Sequence, residues 1–189
     1  YQNNWGTNVG IPGGTAFPGP AKATYTGISR HLFSANYEIS DITDKLALFK
    51  FNYFTQYIQR DVAMVPNTVT TTPLAAGTQR VTPELVSPVG NHLTHGAQLQ
   101  STWNFTEKNT LIAGVDVWSR KLTTERTKII KSEVLNAAGV VVKTNNLIRG
   151  ETPVPESSFG SAGIFMQDET HLFNDKLTLI AGGRVDAVR

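Results

Sequence analysis

The stretch LFNDKLTLIAGGRVD, residues 172–186, contains a short polar turn followed by a run in which apolar and polar side chains alternate. A similar sequence, FTEKNTLIAGVD, occupies residues 105–116, and a less similar one, ISDITDKLALFKFN, occupies residues 39–52. The turn lysines of the three copies, Lys45, Lys108 and Lys176, are 63 and 68 residues apart. This unit is longer than the repeat of a solenoid, which is about 20–50 residues. The repetition therefore predicts a chain built from similar hairpins.

The composition favours strands that have one apolar face and one uncharged polar face. Hydrophobic residues make up 40% of the chain and charged residues 17%, and both fractions are below those of an average globular domain. The net charge is only +2, from 17 basic and 15 acidic residues, and the basic residues are scattered, so we expect no nucleic-acid partner. The absence of cysteine excludes disulfides, thiolate metal sites and cysteine nucleophiles.

Six strands with alternating character are predicted around three short turns. In residues 28–40, for example, Phe33, Ala35 and Tyr37 alternate with the polar residues Ser34 and Asn36, which is the period of a half-buried strand. Residues 61–92 contain four prolines and are predicted to be a loop, because proline disfavours both helices and central strands. The predicted order is loop 1–27, hairpin 28–60, loop 61–92, hairpin 93–122, loop with an accessory hairpin 123–160, and hairpin 161–189.

Short turns and long loops thus alternate along the chain, as in outer-membrane barrels. No stretch of about 18 apolar residues could form a membrane-spanning helix, but a barrel strand needs only about 9–11 residues. We therefore predict an all-β fold, namely an antiparallel transmembrane β-barrel segment of about six long strands with short periplasmic turns and long extracellular loops. Two alternatives are a passive porin-like barrel fragment and a soluble all-β binding or adhesion module.

In a membrane barrel the apolar face of each strand contacts lipid and the polar face lines the lumen. Aromatic residues are expected at both ends of the apolar band, as two interfacial girdles. The lumen-facing candidates are Asp116, Arg120, Arg184 and Asp186. The lipid-facing or girdle candidates are Phe33, Tyr37, Phe49, Phe51, Tyr53, Tyr57, Trp103, Phe105, Leu111, Val115, Val117 and Leu179.

Two aromatic residues and one strand fit this pattern less simply. Phe54 and Trp118 fall on the predicted polar face; either a β-bulge shifts the register there or the rings pack against material inside the pore. In residues 161–172, one face carries Ala162, Ile164 and Met166 together with Asp168. We expect that face to point outward.

The segment AGIFMQDETHLFNDKLTLIAGGRVDAVR, residues 162–189, resembles the barrel signature of TonB-dependent outer-membrane receptors. A strand that ends in Gln-Asp is followed by a short turn, a Leu-Thr-Leu strand and a Gly-x-Arg-x-Asp ending. The matching residues are Gln167, Asp168, 174–176, 177–179, Gly182 or Gly183, Arg184 and Asp186.

The resemblance implies a barrel of about 22 strands in a Gram-negative outer membrane, plugged by an N-terminal domain. Such a receptor imports a scarce nutrient, such as a ferric siderophore, cobalamin or haem, with energy relayed from the inner membrane. The implied partners are outer-membrane lipid, the plug domain, the remaining barrel strands, and an energy-coupling protein that acts through the N-terminal region. Six strands cannot close a barrel, because the smallest have about eight. We therefore expect the chain to be a segment of a longer receptor.

Candidate sites of other kinds are weak. His92 and His95 resemble a metal pair, and Asp168 and Glu169 resemble a catalytic pair, but side chains at offsets of three and one lie on opposite faces of a strand. No catalytic motif, metal site or cofactor is predicted, and we expect no enzyme activity. Arg184 and Asp186 are interpreted as an ion pair of the barrel wall, or alternatively as contacts to the plug. The transported ligand is not readable from the sequence.

Overall fold

The computed structural model describes residues 1–11 and 22–189. The described residues form a single antiparallel sheet of ten strands, which are β1 Gln2–Gly6, β2 Val9–Gly10, β3 Lys22–Ser40, β4 Leu46–Val65, β5 Thr70–Leu74, β6 Gly77–Thr106, β7 Asn109–Asn136, β8 Val141–Glu151, β9 Ser157–Leu172 and β10 Leu177–Val188. Their order in the sheet is β1-β3-β4-β6-β7-β9-β10, with β2 paired to β3, β5 to β6 and β8 to β7. The sheet is open, with β1 and β10 at its edges. No helix in the described ranges is long and apolar enough to cross a membrane. The predicted all-β antiparallel fold is confirmed.

The strands differ greatly in length. The six long strands, which form the three hairpins, have 12 to 30 residues and are β3, β4, β6, β7, β9 and β10. The other four, β1, β2, β5 and β8, have 2 to 11 residues.

Three short turns join the long strands at one end of the sheet, at residues 41–45, 107–108 and 173–176. In the first, the side chain of Thr43 accepts a hydrogen bond from the backbone N–H of Leu46, at 2.9 Å. In the third, Phe173, Asn174 and Asp175 all have positive φ, between 53° and 64°. Asn and Asp adopt this conformation more readily than most residues, which explains why polar residues occupy this turn.

The strands extend further from these turns than the sequence predicts. β4 continues to Val65, β5 occupies part of 61–92, and β6 begins at Gly77, so most of the predicted loop 61–92 is strand. In the same way, β7, β8 and β9 cover most of 123–160, and β1, β2 and the start of β3 lie within 1–27. Residues 12–21 of that predicted loop lie outside the described residues.

The prolines are accommodated at points where the ladder is interrupted. A register shift in the β6–β7 pairing lies between Pro83 and Leu85. Pro88 lies between Val86 and Val89, the two residues of this part of β6 that pair with β4. Pro73 lies in β5, which pairs only with β6. Proline has no N–H to donate, so it is tolerated at bulges and edges, and its presence in 61–92 does not prevent strand formation.

The sheet has no conventional hydrophobic core. Among residues 1–11 and 22–189 no hydrophobic residue is fully buried, and the buried polar residues are Thr94, Ser132 and Glu133. The part of β6, β7 and β8 that is remote from the short turns carries ion pairs instead. Glu133 contacts Arg80 at 2.6 Å and Lys131 at 2.9 Å, and hydrogen bonds from Lys131 and Arg80 hold the pKa of Glu133 below its usual value.

Glycine is required where β6 begins. Gly77 has a φ of +152°, and a Cβ placed on it would lie 1.9 Å from the carbonyl oxygen of Leu135 on β7. Because that neighbour is backbone, a side chain at residue 77 must displace the strand pairing. We predict that Gly77→Ala costs at least about 1 kcal/mol of local stability and accelerates amide hydrogen exchange in β5 and the start of β6.

The matched control is Gly150→Ala. A Cβ on Gly150 meets nothing within 4 Å, and its backbone has no positive φ. Exchange measured by mass spectrometry should be unchanged in this variant. Equal exchange in the two variants would contradict the requirement for glycine at residue 77.

Candidate functional site

The register of the long strands divides the wall into two faces. Residues paired across antiparallel strands lie on the same face, and rows such as Tyr37, Phe51, Leu99, Val115 and Ile164 continue from strand to strand. We call this the apolar face and the opposite one the polar face. The apolar face carries all twelve candidates for lipid contact, Phe33, Tyr37, Phe49, Phe51, Tyr53, Tyr57, Trp103, Phe105, Leu111, Val115, Val117 and Leu179, together with Ala162, Ile164 and Met166.

Burial of the two faces is the reverse of that in a water-soluble sheet. On the apolar face Val117 is 51% exposed and Ile164 is 61% exposed. On the polar face Thr94 is only 7% exposed, and the side chain of Asp116 is 16% exposed. The polar side chains of these central rows thus face the more enclosed side of the sheet, while the apolar side chains of the same rows are left largely exposed by the residues described.

Amphipathic aromatic residues lie at both ends of the apolar face. Near the short turns, Trp103 stacks on Phe105 with centroids 6.3 Å apart, and its indole N–H donates to Ser101 at 2.9 Å. At the far end the hydroxyl of Tyr57 donates to Asn91 at 3.0 Å, and that of Tyr53 is 3.3 Å from Nδ1 of His95. Each of these amphipathic rings has an apolar body and a hydrogen-bonded polar atom, which suits a boundary between lipid and water.

Phe54 and Trp118 do lie on the polar face, and the bulge suggested for them is wrong. The pairing of Phe54 with Gly96 and of Gly96 with Trp118 is in continuous register. A Cβ on Gly96 would lie 2.3 Å from the ring of Phe54, so this ring covers the glycine. Trp118 packs on Phe159, with centroids 5.2 Å apart. An aromatic ring that covers a glycine on the neighbouring strand stabilises both residues.

Three of the four lumen-facing candidates form one cluster, the Arg184 bridge, which consists of Asp116, Arg184 and Asp186. Arg184 Nη1 lies 2.7 Å from Asp116 Oδ2, and Nη2 lies 2.6 Å from Asp186 Oδ1. Nη2 also donates to Asp116 Oδ1 at 3.0 Å, and Nε donates to both oxygens of Asp186. One guanidinium therefore joins β10 to β7, although β9 lies between these strands.

Gly163 of β9 makes this span possible. It pairs with Asp116 on one side and with Asp186 on the other. A Cβ there would be 2.4 Å from Asp186 Oδ1 and 2.5 Å from Arg184 Nη2. Because Gly163 has no side chain, Arg184 can cross over β9 and reach Asp116. Any other residue at this position would fill the space that the guanidinium occupies.

Arg120, the fourth lumen-facing candidate, does not join the bridge. It lies four residues further along β7 than Asp116, where its Nε donates to Thr94 Oγ1 at 3.3 Å. Its guanidinium carbon is 5.8 Å from the centre of the Trp118 ring, which is within cation–π range. Arg120 belongs to a different part of the polar face.

That part also contains Arg30, Arg60 and His92, which sequence reasoning did not select as site residues. They come from β3, β4 and β6. Only the register of three strand pairs brings them into neighbouring rows of the polar face. Counting residues outward from the three short turns is the signal that could have found them. His92 and His95, by contrast, lie on opposite faces, as do Asp168 and Glu169.

The polar face presents charged and polar side chains that are available for binding. Within the described residues no group of three or more His, Cys, Asp or Glu side chains is placed to hold a metal ion. Glu169 contacts His171 at 3.2 Å, and Asp168 accepts hydrogen bonds from Asn109 and Thr170 at 2.8 and 2.9 Å. These carboxylates are engaged in local hydrogen bonds near the short turns.

The Arg184 bridge predicts a specific pattern of coupling. Gly163→Ala should displace the flexible ends of Arg184 and Asp186 and so break the same hydrogen bonds that Arg184→Gln removes. We expect each variant to lower the free energy of unfolding. The double variant should be no less stable than the worse single one, because the same hydrogen bonds cannot be broken twice.

Unfolding in urea, followed by far-UV circular dichroism, measures this coupling. Gly183→Ala is the control, because a Cβ at residue 183 meets nothing within 4 Å, and it should be close to neutral. Additive losses of stability in the double variant would show that Gly163 and Arg184 act independently.

Comparison with known families agrees with this geometry. A family model described as TonB dependent receptor-like, beta-barrel matches residues 1–189. No curated protein and no solved structure gave a match. Since the family match covers the whole chain, this chain belongs to the TonB-dependent receptor-like β-barrels, which are transporters of the Gram-negative outer membrane and not enzymes.

Proposed function

We propose that this chain forms part of the barrel wall and the extracellular loops of a receptor that binds and imports a scarce nutrient. The apolar face contacts outer-membrane lipid, and the polar face lines the lumen. The observation that carries this assignment is the reversed burial of the two faces, since exposed apolar rows require an apolar solvent.

The dimensions of the apolar face support a membrane span. Along β7 its apolar residues run from Leu111 to Val117, and the first charged residue of that face is Lys121. The stretch from Leu111 to the residue before Lys121, residues 111–120, matches the roughly 9–11 residues that a tilted strand needs to cross the hydrocarbon layer. The remaining part of β7, to Asn136, extends beyond it.

We assign the short turns to the periplasm and the long excursions through β5 and β8 to the outside, as is usual for outer-membrane barrels. The extracellular extension then consists of β5, β8 and the remote parts of β6 and β7. Loops and hairpins carried on a rigid scaffold are common recognition surfaces. We assign first contact with the transported ligand to this extension and to the adjacent polar face.

The family also suggests partners for the polar face. A plug domain within the lumen would contact side chains such as Asp116, Arg120, Arg184 and Asp186, and an energy-coupling protein would act on that plug. The Arg184 bridge already satisfies three of these four side chains within the wall. We therefore assign it chiefly to wall stability, and we assign plug contacts to the neighbouring amides Asn52 and Gln98, which hydrogen-bond to each other at 3.3 Å.

Neighbouring nitroxide labels test the assignment of the faces. The chain has no cysteine, so Gln98→Cys and Leu99→Cys each introduce the single thiol of this chain, in a receptor whose other cysteines are replaced by serine. The two positions are adjacent on β6, on the polar and the apolar face respectively. In the receptor reconstituted in lipid vesicles, the label at Leu99 should collide more with oxygen, which concentrates in lipid. The label at Gln98 should collide more with a water-soluble nickel chelate.

Power-saturation electron paramagnetic resonance measures both collision rates. The pair is internally matched, because the two sites are at the same depth and differ only in the face they occupy. Greater nickel access at Leu99 than at Gln98 would contradict the proposed orientation. High nickel access at both sites would favour a water-soluble sheet.

A further inference from the structure

The polar face carries a group of cationic side chains just beyond the apolar band. Arg30 of β3, Arg60 of β4, His92 of β6 and Arg120 of β7 occupy three consecutive rows of the sheet. Arg120 is level with Thr94 and Gln56, Arg30 is level with Ile58 and His92, and Arg60 is level with Gly90. Four neighbouring strands thus contribute one such side chain each.

Two of the arginines are held by neutral acceptors. Gln56, with its amide oxygen oriented toward β3, accepts from Nε and Nη2 of Arg30 at 2.6 and 2.7 Å. Thr94 accepts from Nε of Arg120 at 3.3 Å. Because Gln56 and Thr94 are directly paired, they hold the guanidinium groups of Arg30 and Arg120 at neighbouring positions on the polar face. A neutral acceptor positions a guanidinium without cancelling its charge.

Among the described residues, these three rows of the polar face contain no carboxylate. None of Arg30, Arg60 and Arg120 forms an ion pair within the part of the chain that the structure describes, whereas Arg80, Arg126 and Arg184 each contact a carboxylate. The other residues of these rows are apolar or neutral. They are Gln2, Asn4, Gly6, Ile28, Leu32, Gln56, Ile58, Gly90, Thr94, Leu122, Thr124, Ser157 and Phe159.

The electrostatic environment of His92 agrees with this arrangement. The pKa of His92 is below its usual value, first because the ring is partly buried and then because Arg60 and Arg120 are nearby. Both guanidinium groups are therefore close enough to oppose a further positive charge. The local potential favours an anion.

An apolar wall adjoins the cations. Trp118 and Phe159 pack together, and Arg120 lies over the Trp118 ring. A site of this kind presents charged donors beside a flat apolar surface, which is the usual composition of small-molecule sites.

We propose that Arg30, Arg60, His92 and Arg120 form a binding site for a small anion that bears carboxylate or phosphate groups. Guanidinium groups bind such groups through paired, charge-assisted hydrogen bonds. The site lies on the polar face at the extracellular end of the apolar band, where the extracellular extension passes into the membrane-spanning wall. This inference rests on the proposed function, because it requires the polar face to line the lumen.

Citrate serves as the probe, since it carries several carboxylates. Calorimetric titration of the receptor in detergent at low ionic strength should show citrate binding that weakens as salt is added. Arg60→Gln and Arg120→Gln should each reduce the affinity about tenfold or more, because each removes charge-assisted hydrogen bonds. Arg120→Lys, which keeps the charge, should recover part of the loss.

Lys176→Gln is the control, because it makes the same change of net charge in the exposed short turn at residues 173–176, at the opposite end of the strands. It should leave the affinity for citrate unchanged. The inference is wrong if the wild-type receptor does not bind citrate, or if Lys176→Gln weakens binding as much as Arg120→Gln does. It is also wrong if the two arginine variants lower the unfolding temperature while citrate affinity stays constant, since the arginines would then be paired with carboxylates of the protein.

The nitroxide labels keep this test separate from that of the proposed function. Lumen access at Gln98 together with no arginine-dependent citrate binding would overturn the anion site alone. Lipid access at Gln98 would overturn the orientation of the wall, and the anion site with it.

Discussion

The hydrogen-bonded register between the long strands is the constraint on which the rest of this structure depends. Side chains alternate between faces with a period of two, so a slip of one residue would exchange the two faces of a strand. The register is held by three short turns and is continuous through the apolar band from β6 to β10. The apolar face, the Arg184 bridge and the cationic group around His92 are all consequences of it.

The same register explains the positions of several glycines. On the polar face of this sheet, three large side chains lie over glycines of the neighbouring strand. Phe54 lies over Gly96, Phe165 lies over Gly114, and Arg184 passes over Gly163. Glycine usually weakens a strand, but here the larger neighbour occupies the space that its missing side chain leaves.

The three hairpins and the apolar face can be predicted from the sequence because both depend on local information. Turn residues recur in the repeated phrase, and alternation along one strand assigns every second residue to a face. The ends of the strands are harder to predict. A proline in the sequence suggests that a strand ends there. In this sheet, however, Pro83 lies beside a bulge and Pro88 lies at a position that does not pair with β4. Whether a proline is tolerated depends on the neighbouring strand.

The site residues show a similar division. Arg184 and Asp186 share a face by simple alternation, and this much is predictable. Asp116 joins them only because Gly163 leaves space between, and that ion pair crosses a strand that neither residue belongs to. The grouping of Arg30, Arg60, His92 and Arg120 requires the register of three strand pairs at once. No spacing within a single strand contains that information.

The short turn at residues 107–108 also determines how this sheet can assemble. β6 and β7 pair along most of their lengths from that turn, down to Gly77 and Asn136, so each new pair closes only a small additional loop. The pairings of β4 with β6 and of β7 with β9 instead close over the excursions through β5 and β8, at a larger entropic cost. Contacts of low sequence separation form faster than those of high separation. The hairpins are therefore the kinetic units of the wall, and their lateral association is the slower step.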